Sequence, residues 1–414
     1  MKDINQTVKH MKPSGIRKYF DLANSMEGVI SLGVGEPDFD TPWHISAAAV
    51  DSFKDGHTHY TANRGLLSLR KEIANYYERR FGVTYDPEKE ILVTVGGSEA
   101  VDLCCRVLIE PGDEVIVLDP NYVAYEPAIL MAGGKPVYIE LTQENDFKLL
   151  PEDLEKALSP KTKAILLNFP SNPTGGVMTE EDYLKILPLL EESGIYIISD
   201  EIYAELFFDG KFATPAQFES IKDQVLVING FSKAYAMTGW RLGYLCASTE
   251  LSKQLTKVHQ FIIMSAPTAG QYAAIEALRH GEPDVERMCK EYERRRNLIC
   301  ARLNRMGLKT NVPHGTFYVF PDITSTGLDS DQFCVQLLEQ QKIAVVPGTA
   351  FGEHGEGFVR ISYATSMENI IEACNRIEAF VTSLPSASLK AEELAETVLE
   401  EAALDDEALI LCQK

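Results

Sequence analysis

The chain has 414 residues, enough by length for two or three cores, and its 45% hydrophobic and 24% charged residues are ordinary for a globular protein in water. A formal net charge of −22 argues against nucleic acid and acidic membrane surfaces as partners, because both require a basic face. Eight cysteines, with only Cys104 and Cys105 adjacent and no Cys-x-x-Cys pair, suit a reducing cytoplasm and supply no zinc site.

Residues 1–26 carry Lys and Arg but no continuous apolar segment, so no secretory signal is expected. No run of about eighteen apolar residues predicts a membrane span. Continuous apolar runs at 90–95, 114–118, 163–167, 194–198 and 224–228 predict strands buried on both faces. Helical patterns lie between them, such as the one over 98–109 that Pro111-Gly112 stops. This alternation predicts an α/β domain over residues 40–290, its mostly parallel sheet sandwiched by helices. Past 290 the pattern changes to a charged amphipathic helix over 291–306 and strand-like runs at 316–320, 343–346 and 358–362. A smaller α+β domain is expected there, ending near 382. The tail, 383–414, reads as a linker and an acidic helix, solvated or packed, with a partner-binding tail as the alternative.

Candidate chemistry falls between these elements. Gly96-Gly97-Ser98-Glu99-Ala100 follows a predicted strand and opens a predicted helix, where glycines admit a ligand and free amides favour an anion. A plain turn capped by Ser98 reads the same way. Asn168-Phe169-Pro170-Ser171-Asn172-Pro173-Thr174-Gly175 leaves another strand at its carboxyl end, where α/β sheets bind ligands, although turn chemistry alone explains its Pro and Gly. Asp200 closes an apolar run; a carboxylate there needs a cation, unless it only caps the turn. Tyr203 follows one turn on, and an interior tyrosine is often simply packed. Lys233 stands among small and aromatic residues, with Arg241, a planar donor fork suited to phosphate, close behind. An amine able to form a Schiff base, an acid, a phenol and a phosphate-binding arginine are what pyridoxal phosphate needs. A nicotinamide site is disfavoured, since the Gly96 turn lacks Gly-x-Gly-x-x-Gly spacing.

In this order the motifs identify a resemblance. Residues 31–39 (Ser-Leu-Gly-Val-Gly-Glu-Pro-Asp-Phe), 60–65 (Tyr-Thr-Ala-Asn-Arg-Gly), Asn172-Pro-Thr-Gly175, Asp200-Glu-Ile-Tyr203, the Lys233 to Arg241 block and Arg360 with Tyr363 resemble the fold-type I, class I/II aminotransferases. The aspartate/aromatic branch is the most similar, and the likeness runs from about residue 15 to 382. The resemblance implies pyridoxal 5'-phosphate as cofactor, amino acid and 2-oxo acid substrates, ping-pong transamination and a cytoplasmic homodimer with shared active sites. It joins residues 1–39 to the smaller domain. Lys233 is then the Schiff-base lysine and proton shuttle. Asp200 pairs with the pyridine nitrogen, Tyr203 and Asn172 with the ring oxygen, and Tyr122 stacks on the ring. Gly97, Ser98, Glu99 and Arg241 hold the phosphate, Tyr60 reaches it from the partner subunit, and Ser232 stands in for the hydroxyl that Gly230 lacks. Arg360 clamps the α-carboxylate with help from the Gly35 backbone. Ile16, Tyr19, Asn63 and Arg64 are placed near the side-chain pocket. A carbon–sulfur β-lyase on the same fold and an N-acetyl-diaminopimelate-type aminotransferase remain as alternatives. A regulator that only senses cofactor is disfavoured, because the amino terminus leaves no room for a DNA-binding domain.

Overall fold

Every strand predicted from a continuous apolar run enters one seven-stranded sheet. A computed structural model describes residues 2–11, 13, 15 and 26–384, so Ile16, Tyr19 and the acidic tail from 385 lie outside the described residues. The chain opens with α1 (Gln6–His10), β1 (Ile30–Ser31), α2 (Trp43–Lys54) and α3 (Leu67–Phe81). Strands and helices then alternate: β2 (Ile91–Thr94), α4 (Gly96–Leu108), β3 (Glu114–Asp119), α5 (Tyr125–Ala132), β4 (Lys135–Glu140), α6 (Pro151–Ala157), β5 (Thr162–Asn168), α7 (Glu180–Ser193) and β6 (Tyr196–Asp200). After β7 (Val225–Gly230) and β8 (Gly243–Cys246) come α8 (Thr249–Ile262), α9 (Thr268–His280) and α10 (Glu282–Arg305). The rest comprises β9 (Tyr318–Val319), α11 (Ser330–Gln341), β10 (Ile343–Ala344), β11 (Val346–Pro347), β12 (Val359–Ser362) and α12 (Met367–Ser383). No helix among the described residues is long and apolar enough to cross a membrane.

Strand order in the large sheet is β2-β8-β7-β6-β5-β3-β4, parallel except for β8, which runs antiparallel to both neighbours. The period of two divides each strand between two cores. Ile116, Leu118, Ile165, Leu167 and Ile197 face the side covered by α2, α3, α7 and α9. Val115, Val117, Leu166, Ile198 and Ile228 face α4, α5 and α8. Asp200 follows Ile198 by two residues and therefore falls on the α4–α5 side, the side of the Gly96 turn.

A third core gathers Leu32, Tyr292, Ile299, Leu303, Tyr318, Phe333, Ile361 and Phe380. Its strands are short. β1 pairs in parallel with β10, and β12 lies between β11 and β9, antiparallel to both. α10 begins at Glu282 and runs unbroken through position 290, lending Val285 to the large-sheet core and Ile299 to this one. The run predicted at 343–346 divides in two, because the chain changes partner at Val345 from β1 to β12. The run predicted at 316–320 shrinks to Tyr318–Val319, since Thr316 adopts φ +65° and gives its carbonyl to the Tyr363 hydroxyl. β4 and β8 carried no clear apolar run. β4 is a half-exposed edge strand, and β8 is a short strand directly after the Lys233 to Arg241 block.

β7 and β8 approach so closely that a Cβ on Gly230 would lie 2.9 Å from Gly243 Cα, and one on Gly243 would lie 2.8 Å from the Gly96 carbonyl carbon. Gly243→Ala should cost about 1–3 kcal/mol, as overpacking against backbone does. A lower urea midpoint would show it; an unchanged midpoint would mean that β8 can move away from the Gly96 turn.

Candidate active site

The carboxyl ends of β5, β6 and β7 and the amino end of α4 open onto one cavity of about 500 Å³. Gly35, Gly97, Ser98, Tyr122, Asn172, Asp200, Tyr203, Ser232, Lys233, Arg241 and Arg360 all line it. These predicted residues come from seven separate stretches of chain, and the fold brings them to one place.

The floor is acidic. Asp200 accepts from the Tyr125 hydroxyl at 2.8 Å and from the Ile202 amide at 3.2 Å. Burial raises its carboxyl to about 6, against the pull of those donors and of Lys233. Its neighbour Glu201 points to the opposite face of the sheet, where Ser199 and Thr214 donate to it and burial holds it at about 8.

Lys233 is half-buried in the cavity wall. Its Nζ donates to the Gly35 carbonyl at 2.6 Å and stands 5.8 Å from the Tyr203 ring centre and 5.7 Å from that of Phe317. Desolvation, then the cations Arg360 and Arg241, lower the amine to about 8 against the pull of Glu36 and Asp200. Such an amine keeps a sizeable neutral fraction at mildly alkaline pH, which a nucleophile or proton carrier requires.

At one end the uncapped amino terminus of α4 presents free amides, and Arg241 covers the Gly96 turn. Arg241 reaches it through left-handed backbone, φ +52°, and donates to the Thr238 carbonyl at 2.9 Å. The Cβ of any other residue at 96 would lie 2.8 Å from the guanidinium, and Gly96 itself has φ +75°. Glycine, amide and guanidinium together make an anion cradle.

At the other end Arg360 is buried and, among the described residues, meets only neutral acceptors. It donates to Asn172 Oδ1 at 2.9 Å and to the Gly33 carbonyl at 2.7 Å, while its Nε finds no partner. The rings of Tyr318 and Phe351 flank its guanidinium at 4.5 and 4.6 Å. The Tyr203 and Tyr318 hydroxyls meet at 3.0 Å, and a Cβ on Gly35 would overlap the latter.

Four expected residues stand elsewhere. The Glu99 carboxylate turns away from the cavity to the Val95 amide and to His259 Nδ1 at 2.7 Å, so its side chain does not hold an anion there. Arg64 is tied to Ser252 Oγ and the Lys89 carbonyl, and Asn63 to the Met264 carbonyl, so neither reaches this cavity. Tyr60 is 81% exposed in a separate surface groove with His59 and Ile263. Sequence reasoning missed Tyr125, Tyr318, Phe351 and the Gly33 carbonyl. Each acts through a tertiary contact with no local signature; only the Gly33 to Gly35 motif hinted at a backbone role.

Known proteins resemble the chain across its length. The family described as Aminotransferase class I and II matches residues 27–377. The aromatic-amino-acid aminotransferase 2 of Thermococcus litoralis is 43% identical over 91% of this chain and 97% of its own. The aspartate aminotransferase of Pyrococcus abyssi is 44% identical, over 89% and 95%. Among solved structures, the aspartate aminotransferase from Thermus thermophilus with maleate superposes with a TM-score of 0.87 at 38% identity, covering 92% of this chain and all of that one.

The lowered amine makes a thermodynamic prediction. Between about 8 and 10.5 the unfolded chain holds a proton on Lys233 that the folded chain has lost, so this residue makes stability rise with pH in that window. In cofactor-free protein, Lys233→Met should therefore be more stable than the parent at pH 7. Its advantage in urea midpoint should shrink toward pH 10; a constant advantage would mean that the amine stays charged in the fold.

Proposed function

The chain belongs to the class I and II aminotransferase family and is a transaminase, and from that premise we propose that its cavity holds pyridoxal 5'-phosphate and exchanges L-amino acids with 2-oxo acids. The observation that carries this reading is the meeting of Lys233, Asp200, Arg241 and Arg360 around one cavity. The residues present fit the cofactor. A buried carboxylate without a cationic contact suits a protonated pyridine nitrogen, the anion cradle at Gly96–Ser98 and Arg241 suits a phosphate, and Tyr122 lines a wall that a flat ring could cover. When bound, the cofactor supplies an electron sink for the amino acid's α-carbon.

The chain's own residues do the rest. Arg360, assisted by Asn172, takes the substrate's carboxylate as a planar fork and so fixes which α-substituent faces Lys233. The Lys233 Nζ, lowered by burial, removes the α-proton and later returns it. Asp200, held by Tyr125 and the Ile202 amide, would stay anionic and so favour a protonated ring nitrogen. Tyr203 and Asn172, which line the same cavity, would hold the ring oxygen.

The active unit is proposed to be a homodimer. Trp43, Phe53, Phe261 and Ile262 are exposed, and the Asn63–Met264 hydrogen bond joins the Tyr60 loop to the apolar 261–264 turn. A surface of this kind is costly to leave in water and marks an interface. Tyr60 would then complete the phosphate site of the neighbouring subunit. The aspartate and aromatic names of the relatives support a donor from those classes; the proposed acceptor is a 2-oxo acid such as 2-oxoglutarate.

Purified protein should show a visible absorbance band that amino donors bleach when no oxo acid is present. Lys233→Ala should lose at least about 100-fold in kcat, and retained turnover would end the reading. Arg360→Lys should raise KM for donor and acceptor alike by about 10- to 100-fold, the loss of a bidentate charged contact.

A further inference from the structure

Phe351, one of the two rings against Arg360, belongs to a short segment held at two points by the carboxyl end of β3. The Asn121 amide donates to the Phe351 carbonyl at 2.8 Å. Asp119, buried at the last position of β3, accepts from His354 Nδ1 at 2.7 Å and faces the His354 amide at 3.4 Å. The approach is close: Gly352 has φ +137°, and a Cβ there would overlap Asp119 Oδ1. Immediately beyond Asp119 the chain runs through Asn121 to Tyr122, a lining residue, and Tyr125, the donor to Asp200. One buried carboxylate thus anchors the strand end that leads to the cofactor side and the segment that covers the substrate side.

We propose that His354 and Asp119 are a positioning pair for carboxylate binding, clamping the 348–355 segment so that Phe351 stays packed on Arg360. Neither residue lines the cavity, so neither touches substrate. Without the pair, the Asn121 amide is left as the hold of the β3 end on Phe351, and the ring can shift from the guanidinium. Arg360 then regains water and rotational freedom, and the fork must be ordered anew each time a carboxylate binds. The inference rests on reading Arg360 as the carboxylate clamp.

The charges around His354 agree in sign. Asp119 from β3, Glu140 from β4 with its carboxylate 3.7 Å from Nε2, and Glu353 beside it in sequence all hold the imidazole above its ordinary value. The Asp119 carboxyl is raised by its burial, against the pull of the imidazole. The charged pair is therefore present at mildly acidic pH and weakens as pH climbs through the raised value of the histidine.

The test uses the holoenzyme with 2-oxoglutarate and an amino donor. His354→Ala should raise KM for both on the order of tenfold while kcat stays within about twofold, a coupling of the usual size between neighbours. Phe351→Leu should do the same with the pair intact. The double variant should be no worse than Phe351→Leu alone, because both changes remove one effect. His354→Gln, whose amide can still donate to Asp119, should recover part of the affinity at every pH. It should also lack the rise in KM that the parent shows as pH increases above about 6.5. Unchanged KM in His354→Ala, a loss confined to kcat or melting temperature, or effects that multiply in the double variant would overturn the proposal. Should His354→Ala not fold, the His354→Gln and Phe351→Leu cycle decides it in the same way. Arg360→Lys separates the two readings: unchanged KM there fails the clamp itself, whereas a raised KM with a silent His354 fails the pair alone.

Discussion

Arg360 is a guanidinium taken out of water without a carboxylate among the described residues to meet it. Moving a charge into a protein interior costs several kcal/mol even after relaxation. Here the compensation is neutral: one amide oxygen, one backbone carbonyl and two aromatic faces. Much of the third core serves that arrangement. β12 carries the arginine, β9 brings Tyr318, and the turn before β12 brings Phe351. The β1–β10 pair holds the chain just before Gly33, whose carbonyl accepts from the guanidinium. A site that leaves a buried cation so incompletely satisfied is suited to an anion that arrives and departs.

The large sheet solves the opposite problem. Asp200 and Glu201 are consecutive and both buried, yet the pleat sends them to opposite faces. On one side Glu201 meets hydroxyls and carries no chemistry at the cavity. On the other, Asp200 keeps a tyrosine and an amide but no cation in direct contact, and Lys233 acts on it only through space. The two carboxyls coexist because the sheet stands between them and burial keeps a proton on Glu201 near neutral pH, leaving Asp200 as the charge.

Much of this was legible in the sequence, for a physical reason. Parallel strands buried on both faces must be apolar throughout, so β2, β3, β5, β6 and β7 announce themselves, and the residues that break each run fall at the ligand-binding edge. Asn168, Asp200 and Gly230 are such residues. β4 escaped notice because it is largely open to water and carries Lys135 and Glu140 at its ends, unlike the other edge strand β2, which is buried throughout; the break at Val345 escaped because a change of partner leaves no mark in hydropathy. Arg64 and Glu99 were misplaced for a related reason: a charge in a motif says what it can bind, while the nearest partner decides what it does bind. Ser252 and His259, far away in sequence, claimed them. Tyr125 and Phe351 could be found only once β6 and β12 had brought Asp200 and Arg360 within reach.

The place of β8 has a consequence for how the molecule comes to be made. Among the described residues β2, which ends at the glycine turn, pairs in the sheet with β8 alone, and roughly 150 residues of chain separate the two, a long loop to close. A ribosome extending the chain releases the turn early but cannot give β2 its seat until β8 has emerged. The parallel strands β3 to β7 can assemble first. The anion cradle is therefore finished late, and a growing chain interrupted before residue 246 would carry Lys233 and Asp200 without the means to hold a phosphate.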